Sequence, residues 1–169
     1  AYMIKPFSIL TLLLLGMHSI FANEAPYPLY PITSETHDII RSGEVYIQPN
    51  PEIEGPGRHF HAYILIDASL QDVYNVVKKF QNYPQFMPHI VNVDTVTVDG
   101  RTNFRYFLQL PLGIEYQYET SYQSYSSPNE AWLTWQLEDW EENNIEDTWG
   151  QWLISPYPNT HFTLVQYQV

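Results

Sequence analysis

Residues 114–124 alternate between two kinds of side chain, and this pattern restricts the fold more than any other feature of the sequence. One set is made of Ile114, Tyr116, Tyr118, Thr120 and Tyr122. The other set is made of Glu115, Gln117, Glu119, Ser121 and Gln123. Successive side chains of a β-strand point to opposite faces of the sheet, so we expect the first set to be covered and the second to face water. So regular an alternation is typical of an antiparallel sheet with one covered face.

Other segments of the chain have a similar strand-like character. We predict strands at residues 44–48, 58–66, 90–98, 102–110, 131–137, 148–154 and 160–169. The Asp99-Gly100 dipeptide favours a tight hairpin between two of them. In the last segment, apolar residues fall in both phases of the alternation, which indicates a bulge or burial on both faces.

A short helix is predicted between two of these strands. Its apolar stripe consists of Val73, Val76, Val77 and Phe80, which recur at helical spacing. Ser69 or Asp67 can cap the helix by accepting a backbone hydrogen bond. Pro84 ends it, because proline cannot continue the helical hydrogen bonds. Phe86 and Met87 then place bulky apolar groups in a second short turn.

Two stretches of the chain carry a family resemblance. Residues 66–90 read I-D-A-S-L-Q-D-V-Y-N-V-V-K-K-F-Q-N-Y-P-Q-F-M-P-H-I, and residues 150–169 read G-Q-W-L-I-S-P-Y-P-N-T-H-F-T-L-V-Q-Y-Q-V. Both resemble the START-like helix-grip superfamily, SRPBCC, which includes polyketide cyclases/dehydrases, lipid-transport proteins and coenzyme-Q-binding-like proteins. Tyr74 stands where this pattern often has tryptophan, and Gln81 replaces a common acidic residue. The resemblance covers residues 43–169.

The resemblance implies an α+β helix-grip fold. A curved antiparallel sheet of about six to seven strands would follow the alternation described above, with two short helices after the first strand. The superfamily closes its cavity with a long C-terminal helix, whereas this sequence stops at Val169. We therefore expect either a fragment or a chain without that helix, and a ligand-binding domain at residues 43–169 that is incomplete at its C-terminus.

The first residues have the features of an export signal. Residues 3–22 contain basic Lys5, an apolar core and the small residue Ala22, after which cleavage is expected. An uncleaved anchor is the alternative reading. Residues 23–42 form a Pro/Tyr-rich lead-in followed by a short helix. We therefore expect a secreted or periplasmic protein with no stable membrane insertion after cleavage.

Charge and composition exclude several kinds of function. Seven basic against nineteen acidic residues give a net charge of -12, and no basic stripe exists that could bind nucleic acid. No cysteine is present for a disulfide or a thiol nucleophile. His59 and His61 on one strand face are too few ligands for a metal, and the acidic residues 138–147 lack calcium-loop spacing. We expect solvent-facing histidines, a solvated hairpin tip, and neither metal nor cofactor.

The strand faces and the two short turns converge on one candidate site. The predicted ligand-binding residues are Phe86, Met87, Phe104, Tyr106, Leu108, Tyr116, Tyr118, Tyr122, Leu133, Trp135 and Trp152. Tyrosine combines an apolar ring with a polar hydroxyl, so such a wall can hold a hydrophobic ligand and still orient a polar group on it. The alternative is a solid core with no cavity.

We therefore expect an exported protein that binds or transports a hydrophobic small molecule, such as a lipid, isoprenoid or polyketide-like compound. The first alternative is a pocket enzyme of the cyclase, aromatase or dehydratase type, in which Tyr118 or Asp147 could act as an acid or base. The second is a protein-interaction module. No catalytic motif that we recognise occurs in the sequence.

Overall fold

The computed structural model describes residues 31–49 and 59–169. The helices are α1 (Ser34–Arg41) and α2 (Leu70–Val77), with two short 3-10 helices at Phe80–Gln85 and Pro111–Gly113. The strands are β1 (Tyr46–Pro49), β2 (Phe60–Ile66), β3 (Ile90–Val98), β4 (Arg101–Gln109), β5 (Glu115–Ser126), β6 (Ala131–Leu137), β7 (Trp149–Pro156) and β8 (Thr163–Gln168). The expected signal peptide, and the lead-in as far as residue 30, lie outside the described residues.

All eight strands form one antiparallel sheet in the order β1-β2-β8-β7-β6-β5-β4-β3. The α+β class and the antiparallel sheet are confirmed, with one strand more than the upper end of the expected range. Asp99 and Gly100 both have positive φ and join β3 to β4 as the predicted two-residue turn. Within residues 31–49 and 59–169, no helix is long and apolar enough to span a bilayer, and no long helix covers the sheet.

Helix α2 packs on one face of the sheet, which we call the inner face. Ser69 is the N-cap, and its hydroxyl accepts a hydrogen bond of 3.1 Å from the backbone N–H of Asp72. The buried stripe is Leu70, Val73, Tyr74 and Val77. The prediction that Val76 belongs to this stripe was wrong, because Val76 is 53 % exposed. The helix ends at Val77, so Phe80 lies in the separate 3-10 helix.

Two apolar clusters fill the space between the helices and the inner face. In the first, α2 packs against Ala131, Ile154 and Val165. In the second, the 3-10 helix Phe80–Gln85 packs against β3, β4 and β6, through Phe80, Tyr83, Val93, Phe104, Tyr106 and Leu133. Helix α1 packs on the opposite, outer face, where Ile40 meets Tyr63, Tyr157 and Leu164. Strand β8 is therefore buried on both faces, which is one of the two alternatives that its apolar phases indicated.

The outer face of β4 and β5 departs from the expected pattern. Glu119 was predicted to face water, and this is wrong: it is only 3 % exposed. Its carboxylate accepts one hydrogen bond from Arg105 Nε at 2.8 Å and another from Asn103 Nδ2 at 2.7 Å. A carboxylate can be buried here because each of its oxygens receives a donor, one of them charged.

The segment 138–147 provides the cover over this network, so it is more than a solvated hairpin tip. The Asn143 side-chain oxygen accepts a hydrogen bond from the Glu119 backbone N–H at 2.9 Å. The Asn144 side-chain oxygen accepts one from the Gln117 backbone N–H at 2.7 Å. These two asparagine side chains take the place of a neighbouring strand along the part of β5 that does not pair with β6. They satisfy backbone groups that would otherwise lack partners.

Candidate functional site

A cavity lies between the 3-10 helix Phe80–Gln85 and the inner face of the sheet. Its volume is about 100 Å³. Twelve residues line it: Phe80, Tyr83, Met87, Ile90, Tyr106, Tyr118, Thr120, Trp135, Thr148, Trp152, Tyr167 and Val169. Their side chains are aromatic, aliphatic, thioether or hydroxyl-bearing, and none of them carries a carboxylate, amine, guanidinium or imidazole. The inner face therefore holds a hollow as well as a packed core.

The register of the strands sets the aromatic wall. Tyr106 of β4 pairs with Tyr118 of β5, and their rings stack with centroids 5.2 Å apart. Trp152 of β7 pairs with Tyr167 of β8, and their centroids are 4.5 Å apart. Trp135 of β6 also stacks on Tyr167, with centroids 5.5 Å apart. Since these rings come from inward positions of neighbouring strands, the two-residue period itself places them together.

The tyrosine hydroxyls of the wall differ in their hydrogen bonds. The Tyr83 hydroxyl donates a hydrogen bond to the Val77 backbone oxygen at 2.7 Å and lies close to Trp152. The Tyr106 side chain lies close to that of Thr120. Within the described part of the chain, the hydroxyls of Tyr118 and Tyr167 make no hydrogen bond.

Burial governs the ionisation of these four phenols. It raises the pKa of Tyr118 to about 12. Burial also raises the pKa of Tyr83, Tyr106 and Tyr167 above the usual range of a phenol, and the neighbouring phenols add to this effect. At neutral pH all four carry their protons, so they can donate hydrogen bonds but cannot serve as bases.

The structure brings five of the eleven predicted site residues together in the cavity wall, namely Met87, Tyr106, Tyr118, Trp135 and Trp152. Leu133, Phe104 and Leu108 instead belong to the packed cluster beside the cavity. Phe86, Tyr116 and Tyr122 are exposed and do not line it. Strand alternation identifies which side chains lie on the inner face. It does not distinguish those that line the cavity from those that pack in the core beside it. That any of the eleven contacts a ligand stays a prediction.

Several lining residues were absent from the predicted set. Tyr83 precedes the Pro84 that ends the predicted helix and was given no role in the site, although it is buried in the structure. Thr120 was assigned to the covered face of β5 without a role, and Tyr167 to one of the two apolar phases of β8. The remaining additions are Phe80, Ile90, Thr148 and Val169. The phase of Tyr167 was a sequence signal for its place in the wall, because it sets the ring beside inward residues of β7.

Other candidate groups lie apart from the cavity. Asp147 is exposed and does not line it. His61 was predicted to face solvent, but it is 7 % exposed and its ring stacks on Tyr63. In residues 31–49 and 59–169, no cluster of three or more histidine, aspartate or glutamate side chains could hold a metal ion.

Comparisons with known proteins agree with this architecture. A profile of the family described as "Polyketide cyclase / dehydrase and lipid transport" matches residues 66–169. Among curated proteins, no sequence relative of the chain is found.

Solved structures show a similar fold at low sequence identity. Human StAR-related lipid transfer protein 5 superposes with a TM-score of 0.60 at 10 % identity, covering 73 % of this chain and 65 % of that one. A STAR-related lipid transfer protein fragment from Xanthomonas axonopodis gives 0.57 at 16 %, covering 73 % of both chains. A START superfamily protein from Mycobacterium smegmatis gives 0.53 at 18 %, covering 66 % and 74 %. The chain therefore belongs to the polyketide cyclase/dehydrase and lipid-transport family and has the START helix-grip fold.

Proposed function

We propose that this protein binds a hydrophobic small molecule or lipid in the inner-face cavity and carries it without transforming it. The observation that supports this most directly is the wall itself, which is aromatic and aliphatic with a few hydroxyls. Sites for small hydrophobic ligands have this composition, in which apolar surface provides affinity and a few polar groups fix the orientation. The lipid-transport proteins of the family point to the same class of ligand.

A lipid-sized ligand requires the cavity to widen. The hollow of about 100 Å³ is smaller than typical ligand pockets of roughly 300–1,000 Å³. Met87 is the lining side chain best suited to move, because its unbranched thioether adopts many rotamers at little cost. It lies beside Phe86, which is 48 % exposed. Uptake therefore begins with displacement of Met87 from the wall.

Ligand uptake by the purified protein tests this proposal. We expect native mass spectrometry to detect hydrophobic molecules bound to the protein after incubation with a broad lipid panel. The Met87→Trp variant should take up less ligand, since the larger ring occupies the cavity. Val98→Trp, at an exposed position outside the wall, serves as the matched control and should bind normally. Absence of uptake across the panel by the folded wild-type protein would contradict the proposal.

Export is a second part of the proposal. The basic residue, apolar core and small residue of residues 3–22 support it. We expect that the protein is processed after Ala22 and acts in the periplasm or outside the cell. Mass spectrometry of the protein recovered from these fractions should give Asn23 as its first residue. Recovery from the cytosol with residues 3–22 attached would refute this part.

A pocket enzyme of the cyclase or dehydratase type is the second candidate function. The protonated hydroxyls of Tyr118 and Tyr167 in an apolar cavity favour it, since a buried phenol can donate a hydrogen bond to a developing oxyanion. A Tyr118→Phe variant that keeps its fold, shown by circular dichroism, should then lose turnover of a polyketide-like substrate. Equal turnover by this variant and the wild type would argue against a catalytic Tyr118.

A further inference from the structure

The hydroxyls of the four cavity tyrosines fall into two groups. Two of them contact neighbouring residues, and the other two are available to a ligand. The Tyr83 hydroxyl bonds to the Val77 backbone oxygen, and the Tyr106 side chain lies close to that of Thr120. Tyr118 and Tyr167 line the same cavity, but their hydroxyls bond to nothing in the described part of the chain. A polar group in an apolar cavity costs free energy unless it finds a partner. The two available hydroxyls therefore favour a ligand that can hydrogen-bond with them.

The rings that carry these two hydroxyls are held firmly. Tyr118 stacks on Tyr106 with an angle of 16° between the ring planes. Tyr167 packs against both Trp135 and Trp152. Tyr118 and Tyr167 both line the same cavity. A ligand atom bound here meets two donors whose positions are set before binding, so little additional order is lost.

The cavity offers no partner for a charged ligand group. Its twelve lining residues include no lysine, arginine, histidine, aspartate or glutamate. An ionised carboxylate or phosphate would lose its water of hydration and receive no opposite charge in return, which is strongly unfavourable. A neutral carbonyl or hydroxyl oxygen loses much less on leaving water and regains hydrogen bonds from the phenols.

Building on the proposed function, we propose that the ligand is uncharged and carries a carbonyl or hydroxyl oxygen that binds to Tyr118 and Tyr167. The two phenols are then the residues that determine specificity, and the rest of the wall supplies apolar contact. Esters, ketones, aldehydes and alcohols of long-chain or polycyclic compounds fit this description. Free fatty acids and lipids that must bury an anionic headgroup do not.

Three probes with the same twelve-carbon chain test the inference: methyl dodecanoate, dodecanoate and dodecane. Binding is followed by tryptophan fluorescence in neutral buffer, because Trp135 and Trp152 lie in the wall. Each phenol hydrogen bond corresponds to roughly a fivefold gain in affinity, so the ester should bind about five- to twenty-fold more tightly than the alkane. The ionised dodecanoate should bind at least about tenfold more weakly than its ester.

Variants assign the preference to individual residues. Tyr118→Phe and Tyr167→Phe should each reduce the ester-over-alkane preference about fivefold, since the hydroxyl that bonds to the ester is removed and the ring is kept. Tyr125→Phe is the matched control. It lies on the same strand as Tyr118 but on the outer face, where its ring contacts Trp132, and its variant should keep the wild-type preference. Thermal unfolding of each variant confirms that the fold is intact.

The results separate this inference from the proposed function. If the ester, the alkane and the carboxylate all bind with equal affinity, the inference is overturned while the proposed hydrophobic site stands. Tighter binding of dodecanoate than of its ester would have the same consequence. If none of the three probes binds to the folded protein, both this inference and the proposed function are refuted for ligands of this chain length.

Discussion

Strands β4 and β5 present two contrasting surfaces built from alternate residues. On the inner face, the paired Tyr106 and Tyr118 form part of an uncharged cavity wall. One position along, on the outer face, the paired Arg105 and Glu119 form an ion pair of 2.8 Å. Both faces are covered, but by different means: the inner by apolar helices, the outer by the hydrogen bonds of Asn143 and Asn144.

The contrast shows how the protein keeps charge away from its cavity. The buried Glu119 carboxylate receives two donors, from Asn103 and Arg105, whereas Arg105 keeps 31 % of its side chain exposed and can remain hydrated. A charged pair in this position costs less than the same pair would in the closed inner cavity. Four protonated phenols take the polar positions of the inner face instead. Each of the following predictions tests one side of this contrast.

The largest expected effect is a loss of folding stability at alkaline pH, caused by the four phenols of the inner face. The folded-state pKa of each of the four phenols is raised above the ordinary value of about 10. Above that pH, the unfolded chain loses protons that the folded chain retains. Stability is therefore fully present below pH 10 and falls as pH rises towards the folded values, by up to about 1.4 kcal/mol per pH unit for each phenol.

Denaturant unfolding at a series of alkaline pH values measures this slope. The double variant Tyr118→Phe/Tyr167→Phe should show about half the wild-type loss per pH unit, because two of the four phenols are gone. The outer network contains no tyrosine, so Glu119→Gln should leave the slope unchanged. A wild-type slope in the double variant would mean that these two phenols titrate normally in the folded protein.

The second largest expected effect is the loss of stability when a side chain in the packed cluster of the inner face is truncated. Leu133 is 0 % exposed in the cluster beside the cavity. Leu133→Ala should lower the free energy of unfolding by about 2–5 kcal/mol, since it removes apolar contacts and leaves a void. Gln136→Ala on the same strand, at an exposed position, should change it by less than about 0.5 kcal/mol. Chemical denaturation of both variants makes the comparison, and equal losses would contradict the burial of Leu133.

Local sequence patterns predicted the inner face well because the physics there is local. The alternation in residues 114–124 fixes which side chains share a face, and Asp99-Gly100 sets the register of β3 on β4 through its turn type. Tyr106, Tyr118 and Trp152 thus reach the wall as expected. Which inward side chains line the hollow depends on where the 3-10 helix lies, so Leu133 and Phe104 could not be told apart from them.

The outer face could not be predicted in the same way because its cover comes from a distant part of the sequence. Nothing near Glu119 indicates that Asn143, twenty-four residues later, will bond to its backbone. An asparagine side chain that accepts hydrogen bonds in place of a strand's backbone leaves no periodic pattern in the sequence. The acidic residues 138–147 have the composition of a solvated turn, and most of them are exposed. Glu119 was therefore assigned to water, as the alternation alone requires.

Removing the charge of Glu119 should produce an intermediate effect. In Glu119→Gln, one oxygen remains an acceptor while the new amide N–H₂ faces a donor of Arg105 or Asn103. We expect a loss of about 1–3 kcal/mol in the free energy of unfolding, because a buried polar contact is left unsatisfied. Glu115→Gln is the control at an exposed position of the same strand face. Denaturant unfolding that shows both variants equally stable would indicate that Glu119 is hydrated.

The smallest expected effect concerns the ring that lies over Arg105. The Arg105 guanidinium carbon lies 4.4 Å from the centroid of the Trp140 ring, whose other neighbour is Phe107. Trp140→Leu keeps an apolar contact but removes the cation–π interaction, which is worth about 0.5–1 kcal/mol at a partly exposed site. Trp140→Phe should retain part of it. Hydrogen exchange at the Glu119 and Gln117 amides gives the decisive measurement, since both donate to the asparagines of the same segment. Faster exchange in the leucine variant, with wild-type exchange at Leu133, would show that this segment opens independently of the inner face. Unchanged exchange at all three amides would mean that the two asparagines hold the cover without Trp140.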